Sequence, residues 1–107
     1  MGEPSDVPLS KELIERGVRK DVAHLCHSLI VRVGSRARRA AYIDEILGDL
    51  ATLYEFKKDL LMYVRYAGLV DTALKVLITE GLMTFSIKTA EYALTPRGRE
   101  RMAKYFP

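Results

Sequence analysis

The sequence predicts a mainly α-helical protein with a small β-hairpin near its C-terminal end. Apolar residues recur at helical spacing through most of residues 21–80. After Gly81 the spacing changes to alternation, which is typical of short strands. Glycines stand where several of the predicted helices would end. A length of 107 residues with 49% hydrophobic side chains fits one domain with a single core.

The chain is predicted to consist of a flexible tail and one domain. The tail covers residues 1–9, and the domain covers residues 10–107. Within the domain we expect N-terminal helices over 10–35, a central core over 36–95 and a C-terminal helix over 96–107. No internal repeat or low-complexity segment indicates a further division.

The N-terminal helices are predicted from their caps and from one apolar stripe. Ser10 can cap a short helix over residues 11–16, which Gly17 would end. Asp21 can cap the next helix, which would end at Gly34. The apolar stripe of this second helix consists of Val22, Leu25, Cys26, Leu29, Ile30 and Val33. We therefore expect its stripe to face the core.

The central core is predicted to contain three helices. The first covers residues 36–54 and would be capped by Ser35. The second covers residues 56–67, and the third covers residues 70–80. Gly68 is interpreted as the turn between the second helix and the third.

Two short strands are predicted after the last of these helices. Phe85, Ile87 and Leu94 would point inward and rest on the core. The joining residues, 88–91, contain neither Gly nor Asn, so a tight primed turn is not expected. The Thr-Pro pair at 95–96 then caps and opens the final helix.

Charged residues are distributed unevenly, although the net charge is only +3. Residues 16–39 carry seven basic side chains against one acidic, and residues 96–107 carry four against one. Residues 40–59 have a net charge of −3, and residues 60–95 are neutral overall. Basic clusters of this kind can neutralise nucleic-acid phosphates. The alternative for each cluster is a solvated helix face.

Several classes of function find no support in the sequence. No glycine-rich phosphate loop, nucleophile elbow or zinc-protease motif is present, so no enzyme activity and no cofactor are predicted. His24, Cys26 and His27 lack a second pair of ligands, so no metal site is predicted. No apolar run reaches the roughly 20 residues needed to cross a bilayer. A single cysteine allows no intrachain disulfide, and we therefore expect a cytoplasmic protein.

Two segments near the C-terminal end resemble a known family. Segment 74–83, LKVLITEGLM, reads as a helix that runs into a first strand. Segment 92–100, YALTPRGRE, matches the pattern Y-x-L-T-x-x-G that commonly closes a wing. With a helix and turn over 61–69, residues 40–106 resemble the winged helix-turn-helix domains of MarR-, PadR- and ArsR-like regulators, including small archaeal ones. The predicted fold is therefore a winged helix-turn-helix with additional N-terminal and C-terminal helices.

The resemblance implies a DNA-binding surface. In the family the second helix of the helix-turn-helix enters the major groove, and the wing contacts the minor groove or the backbone. The reading helix here would cover residues 69–80, with Thr72 and Lys75 facing bases and with Lys88 and Thr89 at the wing tip. Phosphate contacts are assigned to Arg36, Arg38, Arg39, Arg65 and Lys88.

The resulting hypothesis is a dimeric transcriptional regulator that binds double-stranded DNA. A dimer is expected because one winged helix spans a single half-site. The helix over 21–33 would contribute the dimer contact through Val31 and His24. No small-molecule effector is indicated. The reading helix offers only one lysine to bases, so a winged-helix protein–protein interaction module within a larger assembly, without DNA reading, remains the alternative. A third possibility is a small helical toxin–antitoxin or viral accessory protein.

Overall fold

The computed structural model describes residues 9–36, 40–53 and 60–104. These residues form five helices and one antiparallel sheet of three strands. The elements in chain order are α1 (Leu9–Glu15), α2 (Lys20–Gly34), β1 (Ala40–Tyr42), α3 (Ile43–Leu53), α4 (Leu60–Thr79), β2 (Met83–Ser86), β3 (Glu91–Leu94) and α5 (Pro96–Ala103). The predicted class, mainly helical with a small β-hairpin, is confirmed, and the sheet gains a strand that the sequence did not indicate.

The additional strand is β1, which pairs with β3 so that the strand order is β1-β3-β2. The helix predicted over 36–54 was therefore too long, and it begins at Ile43. The backbone N–H of Tyr42 donates to Glu45 Oε1 at 2.9 Å, which satisfies a free donor where α3 starts. Ser35 is the C-cap of α2, not the N-cap of the following helix. Pairing with β3 thus prevails over the good helix propensity of the alanines in 40–42.

The longest helix, α4, is continuous where the sequence predicted two helices over 56–67 and 70–80. Gly68 lies inside this helix and forms no turn, and its carbonyl accepts the Thr72 hydroxyl at 3.1 Å. A glycine in a helix costs about 1 kcal/mol relative to alanine, which burial of the following side chains can offset. Those buried side chains are Val70, Ala73, Leu74 and Leu77. The helix ends before Gly81, whose φ is +75°, as predicted.

Helix α2 is the centre of the core. It packs against α1, α3, α4, α5, β1 and β3. Its predicted apolar stripe is confirmed, because all six side chains are buried. The predicted cap was wrong, since Arg19 occupies the N-cap position and Asp21 lies in the first turn. The Asp21 carboxylate instead accepts the Val22 N–H at 2.8 Å and the Arg19 guanidinium at 2.8 Å.

Helix α1 packs against α2, and ion pairs join it to α5 and join the residue that follows α1 to the residue that follows α4. Leu9 and Ser10 lie within α1 and are buried, so Ser10 is not a cap and residue 9 belongs to the helix. Gly17, with a φ of +94°, follows the helix end as predicted. The two ion pairs are Glu12 with Arg101 and Arg16 with Glu80.

The motif that closes the hairpin joins the end of β3 to the end of α4. Thr95 caps α5 as predicted, because its Oγ1 accepts the Gly98 N–H at 3.1 Å. The same hydroxyl donates to the Gly81 carbonyl at 2.6 Å. A Cβ at position 98 would collide with the carbonyl oxygen of Leu82. The threonine of YALTPRG thus serves through hydrogen bonds, and its last glycine is required by packing.

The hairpin formed by β2 and β3 closes with the four residues 87–90, not with 88–91. The expectation that the turn is not a tight primed type is confirmed. Leu94 is buried, whereas Phe85 is 41% exposed and contacts Tyr92 with ring centroids 4.7 Å apart and ring planes tilted by 50°. Ile87 is 90% exposed, so the expectation that it rests on the core was wrong. It lies directly after the last β2 residue, in the turn that joins the two strands.

Among the described ranges, no helix is both long enough and apolar enough to cross a membrane.

Candidate nucleic-acid interface

The side of α4 opposite its buried residues is open to solvent. Residues spaced by three or four positions share this side of the helix. We call it the α4 outer face, and it consists of Arg65, Gly68, Thr72, Lys75 and Thr79, all of which are exposed. Three of the predicted DNA contacts, Arg65, Thr72 and Lys75, are thereby brought onto one helix surface.

The position of these residues along α4 differs from the prediction. The helix begins at Leu60, so the predicted reading segment 69–80 is its C-terminal half and not a separate helix. Arg65 lies in the second turn, and Thr72 and Lys75 lie beyond the middle. Arg65 forms no ion pair with any residue that the structure describes.

Lys75 is engaged on its own helix. Its Nζ lies 3.0 Å from Asp71 Oδ2, and both side chains are well exposed. Such a pair is worth about 0.3–0.5 kcal/mol in an exposed helix. The lysine can therefore exchange Asp71 for another anion at little cost, but the pair leaves this part of the surface nearly neutral.

A groove of about 310 Å³ borders the C-terminal half of the α4 outer face. It lies between α4 and the connection of α1 to α2, and its lining residues are Val18, Thr72, Lys75, Val76, Thr79 and Glu80. Arg16 from the end of α1 pairs with Glu80 at the end of this groove. Access to Lys75 and Thr79 is thus limited on one side by the α1–α2 connection.

Arg36, predicted as a phosphate contact, forms ion pairs within the fold. Its guanidinium donates to Glu45 Oε2 at 3.1 Å and to Asp49 Oδ2 at 2.8 Å. A further contact reaches the Glu45 carbonyl at 3.5 Å. Only 26% of the side chain is exposed, and it joins the end of α2 to α3. The predicted Arg38 and Arg39 lie outside the described residues.

The tip of the hairpin, residues 87–90, carries the two other predicted contacts, Lys88 and Thr89. Both side chains are exposed. The Thr89 N–H donates to Ser86 Oγ at 3.3 Å, and the Ala90 N–H donates to the Ser86 carbonyl at 2.7 Å. Ala90 has a left-handed φ of +59°. The exposed Ile87 between β2 and Lys88 was missed as a surface residue, because alternation alone assigned it to the inner side of the hairpin.

Several of the remaining basic residues are neutralised by neighbouring carboxylates. Arg16 pairs with Glu80, Arg19 pairs with Asp21, and the half-buried Arg101 pairs with Glu12. The basic clusters seen in the sequence therefore supply fewer free cations than their counts indicate.

Two titratable side chains of α2, Cys26 and His27, have shifted pKa values. Cys26 is fully buried, and its Sγ lies 3.5 Å from the Ala73 carbonyl. Burial, and secondarily the charge of Glu80, raise the pKa of the Cys26 thiol to about 12. Burial, and secondarily the charge of His24, lower the pKa of His27. Within the described part of the chain, no group of three metal-ligating side chains occurs.

The predicted dimer contacts, His24 and Val31, lie on the outer side of α2. His24 is exposed and Val31 is half-buried. The exposed or half-buried residues of α2 also include Lys20, His27 and Arg32, so one side of this helix is not covered by the core.

No protein-family model, curated protein or solved structure matches this chain.

Proposed function

We propose that this chain is a winged-helix protein that binds double-stranded DNA. The observation that carries the proposal is the order of the elements, in which α2, β1, α3, α4, β2 and β3 form three helices and a sheet of order β1-β3-β2. In this arrangement α3 and α4 are the helix-turn-helix, and the hairpin of β2 and β3 is the wing. The YALTPRG motif supports it, because Thr95 and Gly98 hold the wing against the end of α4.

The reading helix in this proposal is the whole of α4. A helix-turn-helix meets base edges mainly through the N-terminal part of its second helix. That part of α4 carries Arg65, and an arginine can contact guanine O6 and N7 with two hydrogen bonds. Thr72 and Lys75 lie further along and beside the groove, so we assign them to backbone contacts or to peripheral bases. Arg65 thus replaces Lys75 as the main reading residue.

The electrostatic contribution to binding is modest. Among the predicted contacts that the structure describes, Arg65, Lys75 and Lys88 are the exposed basic residues. Each phosphate contact contributes about −0.9 to the slope of log affinity against log salt, so Lys75 and Lys88 together give about −2 per protomer. A dimer would double this slope and would place two copies of α4 on half-sites about 10 bp apart. Because one winged helix spans a single half-site, we propose a dimeric transcriptional regulator.

The proposal is tested by duplex binding at several salt concentrations. Arg65→Ala should weaken binding about tenfold and relax the base preference at the position that Arg65 contacts. Lys75→Ala should have a smaller effect, because Asp71 already neutralises this lysine. The matched control is Arg99→Ala, which removes an exposed arginine from α5, outside the helix-turn-helix and the wing. Absence of duplex binding at low salt, or an equal loss in the Arg99 variant, would contradict the proposal.

The alternative function is a winged-helix module that binds a protein partner in a larger assembly. The pairing of Arg36 with Glu45 and Asp49 favours it, because this half-buried guanidinium is not free to meet a phosphate. Under this alternative the wild-type chain should show no salt-dependent duplex binding, and the Arg65 variant should behave like the wild type.

A further inference from the structure

The wing tip holds the most exposed large hydrophobic side chain in the described residues. Ile87 is 90% exposed, whereas the others that are exposed reach at most 42%. Full burial of such a side chain is worth about 1.5–3 kcal/mol, which the folded monomer does not gain. Ile87 therefore contributes little to the core, and its apolar surface is available to a partner.

The loop that carries Ile87 is preorganised. Backbone hydrogen bonds from Thr89 and Ala90 converge on Ser86, as described above. Directly beneath the loop, the tilted rings of Phe85 and Tyr92 contact each other across the two strands. A tip that is already ordered loses little conformational entropy when it inserts into a partner.

The charge next to Ile87 points to an anionic partner. Lys88 is exposed, whereas the nearest acidic residue in sequence, Glu91, is half-buried at the start of β3. Burial of this ammonium in an apolar protein pocket would carry a desolvation cost, whereas a phosphate backbone would pair with it. A narrow loop with one aliphatic side chain and an adjacent cation fits the minor groove of a duplex, which is about 6 Å wide.

We propose that Ile87 is a wedge that enters the minor groove and partly unstacks one base step, while Lys88 contacts the adjacent phosphate. This inference rests on the proposed DNA-binding function and adds a consequence, namely that the protein bends DNA. Inserted apolar side chains kink duplexes by about 20–90° toward the major groove. A·T-rich DNA with flexible TA steps is the preferred partner, because such steps unstack at the lowest cost.

The experiment measures ligase-mediated ring closure of an A·T-rich duplex. A length of about 120 bp is below the persistence length of about 150 bp, so the free duplex closes slowly. The wild-type protein should accelerate closure about tenfold or more. Ile87→Ser should lose most of this acceleration, and Ile87→Phe should retain it. The matched control is Ile14→Ser, which changes another exposed isoleucine on α1 and should behave like the wild type.

The outcomes separate the wedge from the proposed function. The wedge is overturned if the wild-type protein binds the duplex but does not accelerate ring closure. It is also overturned if Ile87→Ser accelerates closure as much as the wild type does. Both results leave the proposed DNA binding intact. No binding by the wild type at low salt overturns the proposed function together with the wedge. A fall in solution mass in Ile87→Ser places Ile87 between copies of the chain and overturns the wedge. Circular dichroism of each variant checks that the fold is retained.

Discussion

At the scale of single residues, Cys26 should lower the stability of the protein as the pH rises above about 9. Burial raises the pKa of its thiol from 9.0 to about 12. Below pH 9 the thiol is protonated in both the folded and the unfolded chain. Between pH 9 and pH 12 only the unfolded chain loses this proton, so the free energy of unfolding should fall as pH rises.

The measurement is urea unfolding at pH 7, 9, 10 and 11 for the wild type and Cys26→Ala. The variant should be less stable at pH 7, because a buried side chain is shortened, but its stability should fall less steeply above pH 9. Other groups titrate in both proteins, so the difference between the two slopes isolates the thiol. Equal slopes would mean that the thiol is not protected from ionisation.

Residue roles were only partly predictable from the sequence. The buried stripe of α2 and the Thr95 cap follow from local spacing, and both are confirmed. The ion pairs of Arg36 with Glu45 and Asp49 could not be foreseen, because they depend on how α3 packs against the end of α2. A charge count along the sequence cannot show which arginines already have partners in the folded chain.

At the scale of elements, the continuity of α4 can be tested at Gly68. A Cβ at this position meets nothing within 4 Å, and the residue lies inside the helix. Gly68→Ala should therefore stabilise the protein by about 0.5–1 kcal/mol, since alanine has the higher helix propensity. Thermal and urea unfolding measure the change. A loss of stability would indicate a turn at Gly68, as the sequence first suggested.

The matched comparison is Gly98→Ala in α5. Here the added Cβ would collide with the Leu82 carbonyl, so the same chemical change should destabilise the protein by about 1–3 kcal/mol. A higher free energy of unfolding for Gly68→Ala and a lower one for Gly98→Ala would show that α4 tolerates a side chain at position 68 and that α5 does not tolerate one at position 98.

The errors in element prediction share one physical cause. Gly68 reads locally as a break, and Ala40 and Ala41 read locally as helix. In the fold, burial of the side chains that follow keeps α4 continuous, and pairing with β3 makes 40–42 a strand. Both outcomes depend on partners distant in sequence, which local propensity does not contain.

At the scale of the whole molecule, α1 is expected to unfold together with the rest of the domain. Leu13 of α1 and Leu29 of α2 are both almost completely buried in the same core. Leu13→Ala and Leu29→Ala should each lower the free energy of unfolding by about 2–5 kcal/mol and preserve one transition. Circular dichroism and tyrosine fluorescence provide two independent probes, since the chain has six Tyr and no Trp. Two transitions in the Leu13 variant would show that α1 unfolds separately.

The position of β3 in the middle of the sheet has a consequence for folding during synthesis. Both of its neighbours, β1 and β2, are made earlier, and neither pairs with the other. While the chain is being made, β1 has no strand to bond with until residues 91–94 have emerged, about fifty residues after β1 itself. The sheet therefore cannot form progressively from the N-terminus. The sheet therefore assembles late, when β3 pairs with β1 on one side and with β2 on the other. A chain that stops before Glu91 lacks β3 and forms neither pair.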